Sequence, residues 1–181
     1  MNTYLTIATG VWGVWWVVWF VTSFTAKKKV SQKRDASQIL SIIFLVAAFS
    51  MMFNGNRGAQ TSTVAGVTGL IVMGVSILFC IRARFELGRN WSGTIAVKQD
   101  HELVIRGPYR IVRHPIYTGL LGGFIGMAII VGGWLAWLSV IAGLIAFLIR
   151  IPQEEKLMIE LFGDRYLQYK NRTKTLIPFV I

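Results

Sequence analysis

Two short stretches of this chain hold the residue types that can do chemistry. One is "RGPYRIVRHPIYTG", Arg106 to Gly119. The other is "RIPQEE", Arg150 to Glu155. Arginine offers a planar fork that fits a carboxylate. Glutamate accepts from cations, and tyrosine presents an electron-rich ring face. Arg150 and Glu154 are spaced i, i+4 and share one helical face. That spacing alone also fits a snorkelling arginine in a surface ion pair of little worth. His114 precedes Pro115, where it serves as a helix cap or as a group in a binding site.

These stretches flank apolar sequence. Five segments lack Asp, Glu, Lys and Arg: residues 4–26, 36–53, 64–81, 116–131 and 133–149. A membrane helix needs about 20 mostly apolar residues. The first three segments qualify, and the last two are short. They meet at Gly132-Gly133, which predicts a tight turn between antiparallel helices. Such a hairpin returns its ends to one side, so Arg113, His114 and Pro115 at its entrance must lie near Arg150 and "PQEE" at its exit. The polar segments 82–115 and 150–181 are then expected to meet as one site, within a single integral membrane domain spanning 1–181.

Composition excludes several classes. The net charge of +11 comes from 19 Lys+Arg against 8 Asp+Glu, and 18 of the basic residues fall on one side of the predicted spans. That places the N-terminus outside and the C-terminus and site in the cytoplasm, and it gives the charge to orientation and anionic lipid rather than to nucleic acid. One cysteine, Cys80, and two histidines, His101 and His114, leave no basis for an intrachain disulfide or a Cys- or His-rich metal cluster. The N-terminal apolar run lacks a basic leader and reads as an uncleaved first helix. No acidic or basic residue interrupts a predicted span, which argues against an ion-coupled transporter.

Other features have two readings. Gly119-x-x-x-Gly123 and Gly122-x-x-x-Gly126 allow close helix approach, or leave bare backbone along a groove. Trp12, Trp15, Trp16 and Trp19 form a stripe suited to packing or lipid contact. Trp134 and Trp137 suit the outer interface. Pro152 predicts the first turn of a new helix. The apolar spacing of Leu157, Met158, Leu161, Phe162, Tyr166 and Tyr169 predicts an amphipathic C-terminal helix, interrupted at Gly163. Arg106 and Arg110 are expected at lipid headgroups. The fold class is thus all-α: a polytopic membrane protein of about five transmembrane helices, with a helical-hairpin entrance and that C-terminal helix.

"HELVIRGPYRIVRHPIYTG" together with "RIPQEEKLMIELFGDRYLQYKNRTKTLIPF" resembles the isoprenylcysteine carboxyl methyltransferase family, within the wider group of phospholipid methyltransferases. The resemblance runs from about Leu87 to Pro178 and includes "LGRNWS". It implies an enzyme that binds S-adenosylmethionine without a Rossmann domain and methylates a membrane lipid, or a lipidated small molecule or peptide, arriving from the bilayer. It implies a cofactor site made from His101, Glu102, Leu103, Val104, Tyr109, His114, Pro115, Ile116 and Tyr117. The acidic pair contributes as well, Glu154 first by its spacing from Arg150 and Glu155 second. Arg150 matches the family arginine that faces substrate. Arg113 suits the cofactor carboxylate, and Glu155 or His114 would be the base if the acceptor were an amine. The alternatives are a phospholipid N-methyltransferase, an NADPH-dependent sterol-type reductase, and a membrane protein without catalysis.

Overall fold

The computed structural model describes residues 2–27, 29–32, 36–54, 61–94, 96–98 and 101–177. Arg57, Gln99 and the end of the expected match at Pro178 lie outside them. Six α-helices account for most of the described chain: α1 (Thr3–Ser23), α2 (Ala36–Asn54), α3 (Thr63–Leu87), α4 (Pro115–Val131), α5 (Gly133–Phe162) and α6 (Asp164–Arg172). Among the described residues, α1, α2, α3 and α5 are long and apolar enough to cross a membrane, and α4 is a shorter apolar helix. Helices suit the bilayer because each satisfies its own backbone polar groups. Two strands that the hydropathy does not predict, β1 (Lys29–Gln32) and β2 (Ala96–Lys98), form a small antiparallel ribbon with Lys29 opposite Lys98.

Side-chain size decides which helices pack closely. At the α3–α4 seam, a Cβ on Gly126 would stand 2.6 Å from the Gly69 carbonyl oxygen. One on Gly119 would stand 2.6 Å from both the Ser76 oxygen and the Cys80 Cβ. The small-residue stripe therefore serves helix packing, with backbone against backbone. Beside this seam, Trp12, Phe124, Met73 and Met127 are fully buried, and Trp12 meets Phe49 and Phe124 at centroid distances of 5.3 and 5.6 Å. Val14, Val17, Phe20 and Val21 on α1, and Ile71, Val75 and Leu78 on α3, face outward. Apolar faces of this extent fit lipid rather than water.

The hairpin turns at Gly132, whose φ of +67° suits a residue without a Cβ. Beyond the apolar part of α5, the chain departs from expectation. Pro152 does not open a new helix; α5 continues through it to Phe162. Proline removes one backbone donor, and the Gln153 side-chain amide donates to the nearby Ile149 carbonyl at 2.9 Å. The unbroken helix keeps Arg150, Glu154 and Glu155 in one register. The interruption falls at Gly163, and α6 then turns back beneath the hairpin entrance.

Candidate active site

The hairpin geometry brings α4 and α5 together at their polar ends, as the sequence requires. His114 occupies the N-cap position of α4 without a side-chain capping bond, and Tyr117 stands in the first turn. Their rings stack at 5.5 Å with a 1° interplanar angle, and Tyr117 stacks in turn on Phe147 of α5 at 4.5 Å. Glu154 ties this stack to Arg150. Its Oε1 accepts from Arg150 Nε at 2.7 Å and from the Tyr117 hydroxyl at 2.6 Å. Its Oε2 faces His114 Nδ1 at 3.6 Å. Arg150 Nη2 donates to the Gly93 carbonyl at 2.9 Å. Its Nη1 has no acceptor among the described residues, so one edge of the fork is available.

Glu155 points another way. Its Oε1 accepts from Arg113 Nε at 2.6 Å, and its Oε2 lies 2.7 Å from Lys170 Nζ. Arg113 also donates through Nη1 to the Lys170 carbonyl at 3.1 Å and to the Thr173 carbonyl, and through Nη2 to Thr175 Oγ1 at 2.7 Å. The backbone repeats the connection: Arg113 N–H donates to the Lys174 carbonyl at 2.8 Å and His114 N–H to the Thr175 carbonyl at 3.1 Å. Thr118 Oγ1 donates to the Leu176 carbonyl at 2.6 Å, and the Tyr169 hydroxyl to the Tyr109 carbonyl at 2.7 Å. The segment after α6 is thereby strapped across the hairpin entrance.

Charge follows this geometry. Burial raises the Glu154 carboxyl, but His114 and Arg150 outweigh it and hold the group down at about 2. Burial likewise opposes ionisation of Glu155, and His114, Lys170 and Arg113 carry it below the usual carboxylate range. For His114, burial disfavours the charged ring, yet the two carboxylates prevail and raise its pKa above the ordinary value. Both glutamates are therefore acceptors near neutrality.

A cavity of about 560 Å³ runs past these groups. Its polar end is walled by His101, Glu102, Leu103, Val104, Tyr109, Ile116, Tyr117, Arg150 and Glu154, and its apolar end by Trp15, Trp16 and Trp19 of α1, Leu45 and Phe49 of α2 and Phe147 of α5. Three tryptophans of the stripe thus line the cavity, and only Trp12 is pure core. Glu102 reaches the wall, although its side chain is largely exposed and pairs with Lys27 at 3.6 Å. Pro115 is buried in the helix start. Arg113 borders the cavity with its donors already engaged, and Glu155 does not line it. Arg106 pairs with Glu86 at 2.6 Å. Among the described residues no group of three His, Cys, Asp or Glu could hold a metal ion.

Several wall residues escaped the motif reading, among them Asn90, Trp91, Leu157, Met158, Tyr166 and Tyr169. Asn90 and Trp91 belong to "LGRNWS", where an aromatic beside a polar amide in a short link was the available signal. The spacing of Tyr166 and Tyr169 predicts an amphipathic face, and nothing local marks them as a cavity wall.

Comparison with known proteins points the same way as the geometry. Residues 67–160 match the model of the "Isoprenylcysteine carboxyl methyltransferase (ICMT) family". The protein-S-isoprenylcysteine O-methyltransferase of Schizosaccharomyces pombe is 34% identical over 101 residues, covering 54% of this chain and 43% of that one. The human protein-S-isoprenylcysteine O-methyltransferase is 32% identical over 125 residues, covering 65% and 43%. Methanethiol S-methyltransferase 1 of Bradyrhizobium diazoefficiens is 41% identical over 71 residues, covering 39% and 24%. The chain spans about half the length of the curated relatives it matches. In fold it is similar to the eukaryotic intramembrane Ras methyltransferase ICMT, with a TM-score of 0.59 at 24% identity over 83% of this chain and 55% of that one. With more than half of its length matched, this multi-pass membrane chain belongs to the isoprenylcysteine carboxyl methyltransferase family.

Proposed function

We propose that the chain is a membrane methyltransferase that uses S-adenosylmethionine to methylate the carboxylate of a lipidic acceptor. The observation that carries this reading is the continuity of one cavity. Its polar end holds Arg150 and Glu154, and its other end is an apolar arm between α1, α2 and α5. A water-soluble donor and a membrane-soluble acceptor can meet there. The polar end fits the donor chemically: Glu154 Oε2 is an acceptor for an ammonium, and the tyrosine rings suit a sulfonium. His101, Glu102, Leu103 and Val104 complete that wall, with Tyr109, His114, Ile116 and Tyr117 on the hairpin side, and Pro115 buried at the start of α4. When bound, S-adenosylmethionine supplies an electrophilic methyl group.

The chain's own residues do the rest by placement. An acceptor carboxylate is already ionised near neutrality, so no side chain has to take a proton. It must be aligned and stripped of water. The free Nη1 edge of Arg150 is the group to align it, and Glu154 and the Gly93 carbonyl hold that arginine still. Arg113 and Glu155 act at a distance, by holding the strap closed. An apolar arm lined by Trp15, Trp16, Trp19, Leu45, Phe49 and Phe147 favours a lipidic acceptor over a small thiol such as the one named for the Bradyrhizobium relative. The excess of Lys and Arg on one side of the apolar helices supports an N-terminus outside and a site on the cytoplasmic face.

Calorimetric titration of the detergent-purified chain with S-adenosylmethionine, and in parallel with NADPH, tests the reading. Saturable binding of S-adenosylmethionine that Glu154→Ala abolishes is expected. Binding of NADPH alone, or no binding by folded protein, would overturn it. Lipidic acids, phospholipid amines and small thiols offered with labelled donor then identify the acceptor, and transfer to the amine alone would overturn the carboxylate assignment.

A further inference from the structure

Arg84 lies in the last turn of α3, and only 1% of it is exposed. Among the described residues no carboxylate pairs with it. A buried guanidinium without an anion is costly, and among the described residues its Nε has no hydrogen-bond partner. Its other contacts are specific. Nη1 donates to the Gly88 carbonyl at 2.8 Å and Nη2 to the Thr22 carbonyl at 2.6 Å. The guanidinium carbon stands 4.4 Å from the Trp91 ring centroid and 5.9 Å from that of Trp19. A basic side chain bonding the last carbonyls of its own helix is an ordinary cap. That accounts for Gly88 and not for the reach to α1 or for two indoles.

The two indoles line the cavity, and Arg84 does not. Trp19 and Trp91 meet edge to face at 5.8 Å. Trp19 continues into the apolar arm through its stack on Trp15 at 4.7 Å. Trp91 stands two residues before Gly93, whose carbonyl holds Arg150. The link from Gly88 to Gly93 contains a single turn of 3-10 helix, at Gly88–Asn90, so it depends on outside contacts for its position.

We infer that Arg84 is a positioning residue for the acceptor. It fixes the Trp19–Trp91 neck between the apolar arm and the polar end, and through Gly93 it steers Arg150. This rests on the methyltransferase reading given above. The occupant of the neck is the part of the acceptor that joins an apolar chain to its carboxylate.

The test is steady-state kinetics with Arg84→Met, Arg84→Lys, Trp91→Leu and the Arg84→Met/Trp91→Leu double variant, each checked for a monodisperse elution profile. Arg84→Met should raise the acceptor KM about 30-fold, the size of one desolvated cation–π contact, and leave the donor dissociation constant within about twofold. Arg84→Lys keeps the cation without the fork, so it should recover part of the loss. In the double variant, Arg84→Met should add no further rise to that of Trp91→Leu. Equal loss for donor and acceptor, an unchanged acceptor KM, or fully multiplicative effects would overturn the inference. If Arg84→Met does not fold, Arg84→Lys carries the test, and a normal acceptor KM in it overturns the assignment. Should the wild type transfer no methyl group, the reading of function fails separately. The emission difference between wild type and Trp91→Phe then reports the neck, and an unchanged difference in the Arg84→Lys background would overturn the role of Arg84.

Discussion

Glu154 and Glu155 are adjacent in sequence, each paired to an arginine, and each faces a nitrogen of His114, at 3.6 and 3.5 Å. Their surroundings still differ in kind. Successive helical residues point about 100° apart, so one carboxylate turns to the cavity and the other to the strap. Arg150 comes from the preceding turn of the same helix, and the helix alone brings it to Glu154. Arg113 comes from 42 residues earlier, so its pairing with Glu155 exists only once the hairpin has closed. The first arginine keeps a free edge. The second gives its donors to Glu155, two backbone carbonyls and Thr175. An ion pair whose arginine keeps one nitrogen unengaged suits recognition, and one whose arginine has all three nitrogens engaged suits construction.

Substitution should separate the two pairs by readout. The largest effect is expected at Arg150→Lys, which keeps the charge but loses the planar fork. Methyl transfer should fall about 100-fold, the scale for losing one preorganised donor, with melting temperature nearly unchanged. An initial-rate assay beside a thermal melt checks this, and intact turnover would remove Arg150 from its role. Glu155→Gln should do the reverse. It breaks a buried pair, with 7% and 9% of the two side chains exposed, which costs about 3 kcal/mol. Unfolding in a denaturant series, with limited proteolysis of the segment after α6, measures that loss. Full stability together with lost transfer would move Glu155 into the chemistry.

The sequence disclosed these pairs unequally, for the same reason. Arg150 and Glu154 were legible because i, i+4 spacing is a property of any helix. So were the apolar helices, since uncharged apolar runs of helix length have few other fates. Arg113 looked equally suited to a ligand, because its partners lie across the fold on Lys170, Thr173 and Thr175. Pro152 misled because proline more often opens a helix than sits within one; the register of Glu154 depends on that exception. The glycine stripe was readable as packing, but its partners Ser76 and Cys80 were not. Arg84 is one of seven basic residues in the polar segment 82–115, and its burial between two indoles leaves no trace in spacing.

The smallest effect concerns the side chain that faces both pairs. His114 is buried, and among the described residues its Nε2 has no hydrogen-bond partner. Its pKa is raised because Glu154 and Glu155 together outweigh the opposing effect of burial. The folded state therefore binds the proton more tightly than the unfolded chain. The resulting stability is fully present below the unfolded value of 6.5 and is lost as pH rises through the raised folded value. The glutamates do not confuse this window. Their contribution is present above the unfolded 4.5 and is lost only as pH falls toward about 2 for Glu154, and lower still for Glu155. Melting temperature should thus decline above about pH 6.5 with a slope that His114→Gln removes. Among the described residues Glu155 is already paired with Arg113 and Lys170, whereas Glu154 has Arg150 as its one other cation, so Glu154→Gln should flatten the slope more than Glu155→Gln. An equal flattening would mean that the proton belongs to the strap as much as to the cavity, and the division between the two pairs would have to be redrawn around His114.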